Sequence, residues 1–269
     1  MNEPSDVTVI IPCFNSEYTV ERAFNSVKNQ TVPVKKIIFV DDASTDNTLS
    51  LLKSIQSNNS NIDITILENI VNLGPGLSRN LAWDKATTIW ISFLDSDDTW
   101  LDNKNQTQIN FLINHKDIDF LSGESCFQDI GTVGLANANS EILQYLEIKS
   151  MLFRNKVATR TVILRRSIPH RFSVGLSEDF KLWLTLLNNG FKGAYLKIPL
   201  ARIYRKEFSK GGISSKRTLH EYYELKAIFS LWKKYNKLTL IFAAYFSILK
   251  YLRRQLIVIF RDFLFKSRK

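Results

Sequence analysis

Cysteine is nearly absent from this 269-residue chain, which holds only Cys13 and Cys126. Two thiols without metal-ligand spacing build neither a disulfide framework nor a zinc site, so a reducing compartment is expected. Histidine is as scarce: His115, His170 and His220 form no Ser-His-Asp or Cys-His set of the kind a nucleophilic hydrolase needs. Long apolar runs are missing as well. The polar start MNEPSD and the short run Val7–Ile11 do not read as a secretory leader. The uncharged stretch Leu238–Leu249 is twelve residues long, where a bilayer-spanning helix needs about 20. No internal repeat or low-complexity tract is visible.

Positive charge is abundant, and it is gathered in one place. Residues 1–201 hold 19 Lys/Arg against 22 Asp/Glu, whereas residues 202–269 hold 17 against 4. The mildly acidic body argues against nucleic acid as a partner. The basic last quarter is where an anionic surface or substrate would be met.

Strand and helix signals alternate through the first hundred residues. Val7–Ile11 is a continuous apolar run ended by Pro12, as a strand covered on both faces would be. Tyr18–Val27 has helical spacing, with Val20, Ala23, Phe24 and Val27 on one face. Further strands are expected at Lys36–Val40, Ile62–Leu67 and Ile89–Leu94, with a helix through Leu49–Ile55 capped from Ser44–Asn47 and another over Leu77–Lys85. This order predicts an α/β fold with a mainly parallel sheet flanked by helices. Later elements are sparser: helices around Asn105–Asn114 and Ile142–Phe153, strands near Phe120 and Val162–Leu164, and a helix from the cap Ser177 to Asn189-Gly190. Beyond about residue 218 the chain reads as helical and basic.

Two of the apolar runs end in carboxylates, Asp41-Asp42 and Asp95-Ser96-Asp97-Asp98. Acids this close repel by roughly 4 kcal/mol per pair at 4 Å near a protein surface, so a positive group is expected among them. A divalent cation carrying a nucleotide diphosphate fits that need. In open parallel sheets ligands sit beyond the carboxyl ends of the strands, which is where both clusters fall.

The strings VTVIIPCFNSE, VDDASTDNT, NLGPGLSRN, FLDSDD and SEDFKLWL stand in the order and spacing of family 2 glycosyltransferases, and the chain resembles that family over roughly residues 7–190. The resemblance implies the GT-A fold, with a Rossmann-like nucleotide-binding half. It implies inverting sugar transfer from a nucleotide-diphosphate donor, a UDP-sugar on this reading, with Mn²⁺ or Mg²⁺. By resemblance Asp97 is the metal ligand, with Asp95 and Asp98 near the ribose or the metal, and Asp179 is the base that deprotonates the acceptor hydroxyl. Asp42 would accept the imide N–H of a uracil or thymine ring, and Phe14 either stacks on that base or packs in the core. Pro12 supplies backbone contact or shape, and Glu17 occupies a family position without an evident role. Arg79 either reaches the diphosphate or pins Asp42 and Asp95. Glu178 and His170 are candidates for the acceptor side, Arg205 and Lys210 for a loop over the diphosphate. His115 and His220 read as incidental. Ser78 stands where the family favours alanine, and Ala86-Thr87-Thr88 lacks the usual glycine.

These readings divide the chain into a GT-A domain at 1–217, with a nucleotide-sugar half to about residue 100 and an acceptor half beyond it, and a tail at 218–269. Projected as a helix, Lys250, Arg253, Arg254 and Arg261 share one face of the tail, and Leu249, Leu252, Leu256, Ile259, Phe260 and Phe263 the opposite one. Such a helix would lie on an anionic membrane, pack on the domain, or form a homodimer. Membrane seating suits a lipid-linked glycan acceptor, as in bacterial surface-polysaccharide assembly, with the enzyme peripheral on the cytoplasmic face. The competing readings are a nucleotidyltransferase on a related sheet and an inactive nucleotide-sugar-binding module.

Overall fold

The computed structural model describes residues 4–127, 142–204 and 217–266, with side chains in the last segment at 218–257. Strands β1 (Ser5–Cys13), β2 (Val34–Asp41), β3 (Ile64–Glu68) and β4 (Trp90–Phe93) alternate with α1 (Val20–Lys28), α2 (Thr48–Asn58) and α3 (Pro75–Lys85). Then come β5 (Thr99–Trp100), α4 (Lys104–Asn114), β6 (Phe120–Phe127), β7 (Leu143–Tyr145) and α5 (Ile148–Phe153). A 3-10 turn at Thr159–Thr161 leads into β8 (Ile163–Arg165), followed by α6 (Glu178–Asn188), β9 (Gly193–Ile203), α7 (Arg217–Phe229) and α8 (Lys237–Lys266).

The strands form one sheet in the order β3-β2-β1-β4-β8-β6-β9-β5, with β7 added on β9. From β3 to β4 all neighbours are parallel, as the alternating pattern predicts. Beyond β4 the pairing is mixed. Strand β8 runs antiparallel to β4 and β6, β6 is parallel to β9, and β5 and β7 are antiparallel to β9. Successive residues of each strand feed opposite faces. Val7, Val9 and Ile11 pack with α1, α2 and α4, while Ile10, Ile38 and Phe93 pack with α3, α5 and α6.

Two local expectations need correction, and one strand was not foreseen. Strand β1 continues through Pro12, which pairs with Val40. The stretch Ile142–Phe153 is a strand followed by one short helix. Strand β9 escapes a pattern reading because Pro199 interrupts it, and the β6–β9 register shifts around that residue; proline donates nothing to a ladder and is tolerated at such an irregularity.

Register places the site. Cys13 pairs with Asp41, and Ile10 with Phe93, so the segments after β1, β2 and β4 emerge together at one edge. Because the chain leaves β1 for β2 on one side and β4 lies on the other, this edge is a topological switch point, where a crevice opens. Strand β8 is antiparallel to β4, so the turn at Thr159–Thr161 that precedes it comes to the same edge.

The tail helices return to the body. Leu240, Ala243, Ala244 and Ser247 of α8 are buried, and α8 packs on α5 and α7. Lys250 Nζ reaches the carbonyl of Phe153 at 3.3 Å and Glu224 Oε1 at 3.4 Å. Thus Lys250 faces the protein, not the outer cationic face expected from the sequence.

Candidate active site

Backbone geometry marks the site before any side chain does. Among the described residues the non-glycine positions with positive φ are Asn15, Ala43 and Ser177, at 50°, 59° and 55°. Each costs about 1 kcal/mol or more, and each flanks a carboxylate or aromatic singled out above. Ser177 does not cap α6 with its side chain; its hydroxyl lies 3.3 Å from His220 Nδ1. His220 is therefore not incidental: α7 carries it to the residue preceding Glu178-Asp179.

The acid-rich edge is neutralised by arginines. Arg79, buried on α3, donates from Nη2 to Asp95 Oδ1 at 2.5 Å and from Nη1 to Glu178 Oε1 at 3.1 Å. Gly76 makes this reach feasible, because a Cβ there would stand 2.6 Å from Glu178 Cγ, so only glycine lets α3 and α6 start this close. Arg160, in the turn before β8, donates from Nη1 to Asp98 Oδ2 at 3.0 Å and lies 3.8 Å from Asp95 Oδ2. Its Nε donates to Ser125 Oγ at 3.1 Å and its carbonyl accepts from Trp100 Nε1 at 2.9 Å. The positive groups demanded by the clustered acids are thus supplied in good part by the protein. Arg160 is missed by sequence reasoning because nothing local in Thr159-Arg160-Thr161 signals that the turn faces β4; only the antiparallel β4–β8 pairing does.

Arg160 has a neighbour with equal reach. Thr159 Oγ1 donates to Asp179 Oδ2 at 3.2 Å, while Asp179 Oδ1 accepts the Phe180 N–H at 2.7 Å. Two routes therefore join the aspartates after β4 to the start of α6. One runs through Arg79 and Glu178, the other along the backbone from Arg160 to Thr159 and Asp179. Burial pushes the Asp179 carboxyl above its usual range, against the pull of the Phe180 N–H, Arg79 and Thr159. Burial, then the adjacent Asp179, raise Glu178 to about 7. Burial likewise raises Asp98 to about 7, with Arg160 opposing it. Desolvation outweighs the helix-end field that would favour ionised acids at the start of α6.

The nucleotide-side candidates divide differently. Asp42 is buried, and it accepts from Asn69 Nδ2 at 2.7 Å and from the Leu73 and Gly74 N–H groups, both at 2.8 Å. Three of the roughly four acceptor positions of a carboxylate are taken, so Asp42 fixes the loop entering α3, and Arg79 does not touch it. Glu17 Oε2 accepts the Asn47 N–H at 3.1 Å, a clasp between the loops after β1 and β2. Phe14 is 48% exposed at the rim. Pro12 is buried in β1. Asp97 accepts from Arg22 Nη2 through its carbonyl at 2.8 Å, and the Arg22 guanidinium lies 3.6 Å over the ring of Tyr204. Cys13 is no nucleophile: burial, then the charge of Asp41, push its thiol well up.

His170 is misplaced by the sequence reading. Its ring packs edge-on against Phe191, 5.7 Å away, just past the far end of α6. An 11-residue helix spans about 16 Å, so His170 stands at the opposite end of α6 from Asp179. Arg205 and Lys210 lie outside the described residues.

A family model for "Glycosyl transferase family 2" matches residues 8–171. The Escherichia coli protein WfgD, named UDP-Glc:alpha-D-GlcNAc-diphosphoundecaprenol beta-1,3-glucosyltransferase, is 30% identical over 190 residues, 68% of this chain and 70% of its own. A crystal structure of residues 1–349 of S. aureus TarS with UDP-GlcNAc superposes with a TM-score of 0.65 at 20% identity, covering 85% of this chain and 67% of that one. The mannosyltransferase PcManGT from Pyrobaculum calidifontis, with GDP-Man and Mn²⁺, superposes at 0.67 with 17% identity over 91% and 72%. The strand order and helical layers are those of the GT-A fold. With more than half its length matched by that model, and with its acids and arginines drawn together at the switch point of the sheet, this chain belongs to glycosyltransferase family 2.

Proposed function

We propose that this glycosyltransferase works by inversion, moving a sugar from a UDP-sugar to a hydroxyl of a lipid-linked glycan. The observation that carries this reading is the pairing of Asp179 at the start of α6 with the arginine-braced Asp95 and Asp98 through the Thr159–Arg160 turn. In the reaction the acceptor oxygen attacks the anomeric carbon, Asp179 takes its proton, and the bond from that carbon to the diphosphate oxygen breaks with the electron pair leaving on the nucleoside diphosphate. A carboxylate with a raised affinity for protons is the better base near neutral pH. Glu178 and Arg79 brace the acceptor side, and Asp95 is directed toward the ribose. Phe14 stacks on the base beside Asp42, in a nucleotide half to about residue 100, with the acceptor half at 101–217.

Among the described residues no three acidic, histidine or cysteine side chains make a self-sufficient metal cage. Asp95 and Asp98 pair with Arg79 and Arg160, and it is the family resemblance that assigns the ion to the Asp97 carboxylate. That donor set fits Mn²⁺ or Mg²⁺, hard ions bound by one or two carboxylates with substrate phosphates completing the shell. Such an ion, held by Asp97, would offset the charge growing on the departing diphosphate.

The lipid-linked acceptor is drawn from the name of WfgD, and the cytoplasmic membrane face from that acceptor together with the two free, buried thiols. The test is incubation with nucleotide sugars, Mn²⁺ and a diphosphate-linked lipid acceptor. Release of nucleoside diphosphate with glycosylated lipid is expected; release of pyrophosphate would make the protein a nucleotidyltransferase, and donor binding without turnover a binding module.

A further inference from the structure

Helix α8 has two faces, and only one of them meets the protein. Leu240, Ala243 and Ser247 point inward, and Lys250 is held by Glu224. The opposite side carries Leu238, Phe242, Tyr245, Leu249, Leu252 and Leu256, exposed by 68%, 60%, 56%, 41%, 50% and 57%. Their spacing of four and three residues keeps them in one line down the helix. Ile241 and Ile248, also exposed, widen that line to an arc of about 120° at 100° per residue. Arg253 is the charge beside it. An unpartnered apolar surface of this extent marks a docking site.

We infer that this face of α8 lies in the acyl boundary of an anionic membrane, held by its apolar side chains and assisted by the surrounding cations. Three observations select a bilayer over a second copy of the chain. The tail from residue 202 carries 17 Lys/Arg against 4 Asp/Glu, so two tails repel each other while anionic headgroups attract both. The exposed arc is wider than the two-position seam that a helix pair buries. Tyr245 lies on the arc, and Trp232, 40% exposed, sits just before α8; these are aromatics of the type that settle at headgroup level. No helix among the described residues is long and apolar enough to cross a membrane, so α8 lies on the surface. The orientation reverses one part of the pattern read from sequence: Lys250 bonds α5 and α7, and the anchor is chiefly hydrophobic.

The inference deepens the proposed lipid-linked acceptor, since α7 joins α8 to the Asp179 end of the site through His220 and Ser177. The full chain is sedimented with vesicles of phosphatidylglycerol and phosphatidylethanolamine, beside a doubly substituted Phe242→Asp, Leu249→Asp chain whose melting temperature confirms folding. The wild type should bind, weakening only severalfold when salt is raised to about 0.5 M, and the variant should lose at least tenfold. Equal binding by the two, or a wild type left in solution, overturns the inference. So does a dimer, seen by analytical ultracentrifugation and lost in the variant, without vesicle binding. Transfer to a water-soluble acceptor should be the same in both chains. If neither turns over while the wild type still binds vesicles, the catalytic reading fails alone.

Discussion

The two ends of the sheet are built on different rules. From β3 to β4 every strand is parallel, each is nearly continuous in apolar residues, and the polar groups at the edge are tied locally. Asp42 takes N–H groups from the loop entering α3, and Glu17 clasps Asn47. From β8 to β9 strands run both ways, and the polar groups reach across the molecule. Arg160 is 62 residues from the Asp98 it binds, and Arg79 is 99 from Glu178. The first region is a preformed cradle. The second supplies the proposed base and part of the countercharge, and it does so from a three-residue turn and the first turn of α6.

If that division holds, damage to the second region should separate chemistry from donor binding. The largest effect expected is for Asp179→Asn, which should lower kcat by about 10²–10⁴-fold while calorimetry shows donor affinity changed by no more than about twofold. Wild-type turnover in that variant would remove the base from α6. Next comes Arg160→Met, which leaves Asp95 and Asp98 with less positive charge. Donor KM should rise by about tenfold with a smaller change in kcat, and Arg160→Lys should recover much of it because a cation remains. A purely structural role would give equal losses in both variants, tracking melting temperature.

Acidity offers a finer cut. Since burial raises Asp179 above its usual 3.8, the fraction in the basic, deprotonated form grows with pH through an inflection above that value. The pH profile of kcat/KM should therefore climb on its acid side later than an exposed aspartate would allow; an inflection at or below 4 would break the assignment.

The smallest effect tests the join between the regions. Lys104 of α4 is fully buried, donating to Ser92 Oγ of β4 at 2.8 Å and lying 3.6 Å over the ring of Trp100. Burial pulls its amine well below 10.5. Between that depressed value and 10.5 the unfolded chain binds more protons than the folded one, so stability rises with pH by up to about 1.4 kcal/mol per unit. Lys104→Met should flatten this rise in urea titrations made at successive pH values, and equal slopes in the two chains would remove the buried amine as its cause.

Most of the cradle could be read along the chain, because covered parallel strands advertise themselves as apolar runs and their acids sit next to them in sequence. The GT-A fold and the family followed from the same segments. Much of the rest could not. Pro199 hides β9, and the single helix expected at Ile142–Phe153 is a strand and a short helix. Arg160 and Thr159 carry no local mark, and His220 looked idle until α7 brought it against Ser177. Conversely, His170 looked promising in sequence and stands at the far end of α6.

Local pattern and composition were enough for the element order of the first half, the acids after β2 and β4, and the basic, amphipathic character of the tail, since each depends on neighbours within a few residues. Which arginines answer which acids, which side of α8 is covered, and how the Thr159–Arg160 turn links Asp179 to the aspartates after β4 were settled only when strands and helices packed. Charge compensation acts through space, and distances of a few ångströms between residues far apart along the chain exist only after folding.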